Sequence, residues 1–193
     1  MTGDTKFFFT SDTHFSHKNI LSFGIRPFST LEEMEEVLIN NWNRKVRPGD
    51  IVYHLGDFFL GKDPEKACQI LDRLNGQKFL IKGNHDYPKV LSGYEHKFVK
   101  VEKMHKVKIK DPDAPHGRRL IVLCHYPLVT WDQAHYGAWS FHGHCVDGET
   151  EILTTEGWKS RDNISKGDVT LSYSSALGKL EEDRVIELVD VPN

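Results

Sequence analysis

Cysteine is scarce. The 193 residues contain three, Cys68, Cys124 and Cys145, too few and too scattered for a disulfide framework and at spacings that fit no zinc knuckle. Cys68 and Cys124 sit in apolar contexts and are expected to fill core. Long hydrophobic runs are also missing: none approaches the roughly 20 residues that cross a bilayer, and the start, with Asp4 and Lys6, has no signal-peptide pattern. These absences point to a soluble, cytoplasmic protein with no membrane partner. Histidine is missing from the last quarter, since all 11 lie at or before His144. Charge of one sign is not dominant either: the net is −3, divided as −6 from Cys145 onward (eleven acids, five bases) and +3 before it. A first part with three surplus positive charges suits an anionic substrate but does not indicate nucleic acid.

What is present falls into two unlike parts that meet near residue 145. The length suffices for one sizeable core, or a medium core with a small appendage. Phe7 to Thr10 reads as a short buried strand running into Ser11-Asp12-Thr13-His14. A helix follows from Thr30, where Thr30 and Glu33 form a capping box and Leu31, Met34, Val37, Leu38 and Trp42 recur at helical spacing. The strand Ile51 to Leu55 leads into Gly56-Asp57, and Asp63-Pro64 opens a second helix running to Leu74 with Gly76 as its stop. Lys78 to Lys82 is a third strand, delivering Gly83-Asn84-His85-Asp86. Short strand-like runs surround residues 99–109, with a hairpin turn at Asp111-Pro112-Asp113 and His116-Gly117. Leu120 to Cys124 ends at His125, and Ala138 to Phe141 ends at His142-Gly143-His144. The expected fold is α/β and layered, with strands alternating with helices first and arranged in hairpins later, and with the site at the strand ends.

Five strands therefore end in candidate metal ligands. Asp12-x-His14, Gly56-Asp57, Gly83-Asn84-His85-Asp86, His125 and Gly143-His144 offer carboxylate, amide and imidazole donors, a mixture suited to divalent Mn, Fe, Co, Ni or Zn. Glycines before Asp57, Asn84 and His144 allow tight turns that aim side chains into a shared pocket. His17, His54, His135 and His142 are further histidines that either touch substrate or pack.

These blocks, in this order, resemble the motifs of calcineurin-like metallophosphoesterases over about residues 6–144. The resemblance implies a β-sandwich with flanking helices and two metal ions, manganese foremost. It implies Asp12, His14 and the bridging Asp57 at the first metal, and Asp57, Asn84, His125 and His144 at the second. His85 is the matching catalytic histidine, expected to protonate the leaving group or stabilise phosphoryl oxygens, with Asp86 orienting it. The implied reaction is phosphate-ester hydrolysis, in which two cations roughly 3.5–4 Å apart activate a hydroxide and neutralise the phosphate.

The family pattern places a second histidine two residues after His144, where this sequence has Val146. From Cys145 to Trp158 the chain resembles the opening block of an intein, a Cys followed by a hairpin carrying the Thr-x-Ile-Leu-Thr-like stretch Thr150-Glu151-Ile152-Leu153-Thr154, and Ile164, Lys166-Gly167-Asp168-Val169 and Leu171-Ser172-Tyr173 continue the resemblance. A last strand is expected over residues 185–191, completing a small all-β, Hint-like segment. The resemblance implies that the Cys145 thiolate attacks the carbonyl of His144, and that a complementary split-intein chain supplies the remainder. Two domains are thus expected, residues 1–144 and 145–193. The alternatives are an ordinary β appendage with a chance Cys, and a metal- or phosphate-binding domain without turnover.

Overall fold

The computed structural model describes residues 5–22, 26–144, 151–160, 163–174 and 179–184. Two sheets face each other, and helices cover the outer face of the first. The first sheet is parallel and in chain order: β1 (Phe7–Thr10), β2 (Ile51–His54), β3 (Gln77–Ile81) and β4 (Lys100–Glu102). The second sheet contains β5 (Met104–Lys110), β6 (Arg118–Cys124) and β7 (Trp139–Phe141). Lys110 pairs with Arg118 across the expected hairpin. The expectation of hairpins throughout the later strands is corrected at β7, which runs parallel to β6; the intervening residues 125–138 cross over, so both strands deliver their C-terminal ends to one rim.

α1 (Leu31–Lys45) begins at Thr30, whose hydroxyl accepts the Glu33 N–H at 3.1 Å. Glu33 reaches back to the N–H of Ser29 rather than that of Thr30, a capping box shifted by one residue. α2 (Pro64–Arg73) has Asp63 as N-cap and Pro64 in its first turn, where the missing N–H costs nothing. A short α3 (Pro88–Leu91) follows the third ligand loop.

Strand alternation sorts side chains to two cores. Tyr53, Leu55, Ile81, Val107, Ile121 and Leu123 fill the space between the sheets, while Leu80 packs with Ile39, Ala67, Ile70, Leu71 and Tyr94 under the helices. Cys68 and Cys124 are buried and unbridged, as the composition suggests.

Beyond His144 the described strands are β8 (Glu151–Thr154), β9 (Gly157–Ser160), β10 (Val169–Ser174) and β11 (Lys179–Arg184). β8 and β9 form the expected hairpin. Among the described residues, these four strands form a sheet of their own, in the order β11-β10-β8-β9. Cys145, Val146 and the strand expected over 185–191 lie outside the described residues.

Candidate metal centre

β1, β2, β3, β6 and β7 all end on the same rim, and each hands over to a loop carrying expected ligands. The first two loops continue the ladder of the sheet: the N–H groups of Asp12, His14 and Phe15 donate to the carbonyls of Gly56, Asp57 and Phe58 at 3.0, 3.0 and 2.9 Å. The donor residues pay for their orientation in backbone strain. Asp12, His14, Asp57 and His144 all have left-handed φ, between 50 and 57°, a region costing roughly 1–2 kcal/mol for a residue with a Cβ. Four such residues among six expected ligands mark a site whose geometry is imposed by its surroundings.

In the first donor set, Asp12, His14 and Asp57 bring their ligand atoms within 4.8 Å of one another. His14 Nε2 lies 3.7 Å from Asp12 Oδ1 and 4.0 Å from Asp57 Oδ2. Burial works against ionisation of Asp12, but hydrogen bonds from His14 and Ser11 and the neighbouring histidines outweigh it and hold the carboxyl down at about 2. It is therefore an anion, as a cation ligand must be.

The second donor set is decided by hydrogen-bond polarity. His125, fully buried, donates Nδ1–H to the carbonyl of Leu55 at 2.7 Å. A carbonyl only accepts, so Nε2 carries the lone pair. That nitrogen faces Asn84 Oδ1 at 2.9 Å, His144 Nδ1 at 3.2 Å and Asp57 Oδ2 at 3.5 Å, and Asn84 Oδ1 is itself 3.0 Å from His144 Nδ1. Potential ligand atoms converging at such spacings match the edges of a coordination polyhedron with bonds of about 2.1 Å. The residues present thus fit a divalent ion. Asp57 joins the two sets: Oδ1 accepts the N–H of His85 at 2.8 Å, while Oδ2 faces both His14 and His125.

The glycines have a steric reason beyond turning. Only Gly56 among the three has positive φ, at 103°. A Cβ on Gly83 would strike the Asp57 carboxylate, and one on Gly143 would strike Ser11 Oγ and Asp12.

Asp86 requires a correction. Its carboxylate was expected to orient His85, but Oδ2 accepts the N–H groups of Asp57 and Gly83 (2.9 and 2.8 Å) and Oδ1 that of Phe58 (3.1 Å). It is buried and ties the second ligand loop to the third. Burial raises its pKa against the pull of those three N–H groups. The group beside the His85 imidazole is Tyr87, whose hydroxyl is 3.3 Å from Nδ1. The His85 ring stands 5.7 Å from that of His14, over the first donor set.

Several contributors were not apparent as such from sequence. Arg26 donates to the carbonyls of Asp12 and Thr13 at 2.5 and 2.8 Å. Glu35, buried on α1, accepts from the N–H and hydroxyl of Ser16, both at 2.9 Å, and pairs with Lys66 of α2. Its position among helical polar residues gave one usable signal, an acid on the turn facing the core. Of the additional histidines, the His17 ring lies tilted 5.3 Å from that of His14, His54 is buried, and His135 and His142 are exposed, His135 against Tyr136.

Comparison with known proteins agrees with this rim. A family model described as calcineurin-like phosphoesterase matches residues 5–174. The chain belongs to that family. The chain is similar to the uncharacterized protein MJ1445 of Methanocaldococcus jannaschii, 52% identical over 82 residues that make up 42% of this chain and 47% of that protein. It is also similar to the gene 66 protein of Mycobacterium phage L5, 30% identical over 132 residues, 63% of each. Among solved structures, the protein of unknown function AQ665 from Aquifex aeolicus matches with a TM-score of 0.50 and 33% identity, covering 64% of this chain and 62% of that one. The chain thus spans between about half and two thirds of the relatives it matches. The family match passes Cys145 without a break and gives no sign of an intein there. The family is one of phosphoesterases.

Proposed function

We propose that this chain is a phosphoesterase using two divalent ions, manganese foremost, held by Asp12, His14 and Asp57 at one position and by Asp57, Asn84, His125 and His144 at the other. The observation that carries the reading is the convergence of Asn84 Oδ1, Asp57 Oδ2 and His144 Nδ1 on the bare Nε2 of His125, four atoms that one divalent cation can bind together. When bound, such ions supply a hydroxide at neutral pH and neutralise phosphate oxygens. The chain's own residues orient and protonate. Asp57 holds both donor sets in one frame through Oδ2. His85, beside the first set, is positioned to donate a proton to the leaving oxygen. The substrate is a phosphate ester whose alcohol this rim does not specify.

A second element of the proposal concerns the tail. Three protein donors serve the first position, and Val146 stands where the family pattern has a fourth. What supports an interruption at Cys145 is the intein-like block from Cys145 to Trp158, the lack of any later histidine, and a β8–β11 sheet that pairs only with itself among the described strands. In this reading residues 1–144 and 145–193 are separate units, and a complementary split-intein chain is the partner.

Hydrolysis of an aryl phosphodiester with manganese tests both elements, comparing the full chain with a version carrying Thr-His-Gly in place of residues 145–193. Turnover by the replaced version alone, lost in its Asp57→Asn variant, is expected. No turnover from either overturns the phosphoesterase reading, and equal turnover from both overturns the interruption.

A further inference from the structure

His54 is a buried histidine at the end of β2 that no step above uses, and its surroundings show what it does. It packs edge-on against Phe58, with 1% of its surface exposed. Its Nε2 lies 3.0 Å from Thr13 Oγ1, and the same oxygen lies 3.0 Å from the carbonyl of Phe58. A hydroxyl has one proton, and a carbonyl can only accept it. The Thr13 proton therefore points at Phe58, so His54 must donate through Nε2–H. Its Nδ1 is then bare, and it has no hydrogen-bond partner among the described residues. Burial pushes His54 down to about 3, in keeping with a neutral ring in this fixed tautomer.

Thr13 stands between Asp12 and His14, both in left-handed backbone. The carbonyls of Asp12 and Thr13 are held by Arg26. The Thr13 hydroxyl reaches the backbone of the second ligand loop at Phe58, as the Ser11 hydroxyl does at Leu55 (3.2 Å). We propose that His54 and Thr13 are positioning residues of the metal centre: the directed chain His54 Nε2–H to Thr13 Oγ–H to Phe58 carbonyl clamps the first ligand loop to the second and sets the spacing of Asp12, His14 and Asp57. The functional part of this inference rests on the proposed metal ligands, whereas the clamp exists in the protein without metal.

Amide hydrogen exchange in the metal-free full chain tests the clamp. Thr13→Val keeps the shape and removes the hydroxyl, leaving His54 Nε2–H unpaired and the Phe58 carbonyl with the Phe15 N–H alone. About tenfold faster exchange or more is expected at the N–H groups of Asp12, His14 and Phe15, with β5 and β6 unchanged. His54→Leu does the same, whereas Thr13→Ser and His54→Gln, which restore a hydroxyl and a donor, return exchange toward the parent rate. Manganese titration supplies the functional arm, with the weaker of two sites losing about tenfold in affinity in Thr13→Val and the tighter site unchanged. Parent-like exchange in Thr13→Val, or acceleration spread equally over β5 and β6, overturns the clamp. If the parent binds no manganese, the metal reading fails, and exchange still decides the clamp.

Discussion

Asp57 carries more of the site than any other residue, because one oxygen fixes the third ligand loop through the His85 N–H and the other faces both donor sets. Asp57→Asn is expected to weaken manganese binding at both positions by about 100-fold or more, by analogy with the losses that follow even from disturbed outer partners; isothermal titration reads this directly. Asp86 acts one step further out. Replacing it with Ala leaves three buried N–H groups without their acceptor, and a loss of about 3 kcal/mol or more in unfolding free energy is expected, measured by urea denaturation of the metal-free chain. Parent-like stability would mean that water replaces the carboxylate without cost. Gly143→Ala tests close packing instead: the added methyl would meet Ser11 and Asp12, so manganese affinity should fall while the helices and their thermal signature persist.

At the scale of elements, the parallel strands act as rulers. β1 and β2 pair from Phe7 with Ile51 to Thr10 with His54, and the ladder continues through the loops, so Asp12 is set against Gly56 and His14 against Asp57. The helices determine how firmly. Glu35 connects α1 to Ser16 in the first ligand loop and to Lys66 of α2, so loosening the start of α1 is transmitted toward His14. Thr30→Ala removes the N-cap and is expected to cost about 1 kcal/mol, read as a lower urea midpoint with an unchanged slope. Both the caps and the alternation within each strand were legible in sequence, since they depend on neighbours a few residues away. The parallel run of β7 beside β6 was not, because short strands separated by an irregular crossover carry no local mark of direction.

Over the whole molecule, acid stability follows from which groups bind protons differently after folding. His54 has an ordinary value of 6.5 and about 3 when folded. As pH falls, the unfolded chain takes up this proton first, so its contribution is complete above 6.5 and is lost progressively toward 3. Asp12, lowered from 3.8 to about 2, acts in the same direction in a lower window. Asp86, raised by burial, works oppositely, favouring the folded state more as pH falls through its range. The His54 window opens at 6.5, as does that of His17, which burial also lowers. The metal-free chain should therefore melt at a lower temperature at pH 5 than at pH 7, and His54→Gln should flatten that slope; an unchanged slope would assign the acid sensitivity to other histidines.

The sequence by itself determined the ligand inventory and the order of elements, because each donor follows a strand whose apolar pattern is local and because a rare mixture of Asp, Asn and His recurs at five strand ends. It also marked the change of character near residue 145. Tertiary structure decided what could not be local. His125 Nδ1 is committed to a carbonyl 70 positions away in the chain, which fixes the free lone pair on Nε2. Asp86, adjacent to the histidine it was expected to orient, instead reaches two backbone groups nearly 30 positions distant, and His54 meets Thr13 only because β1 and β2 lie side by side. Hydrogen-bond direction depends on which acceptor folding brings within 3 Å, and neighbours in sequence do not determine it.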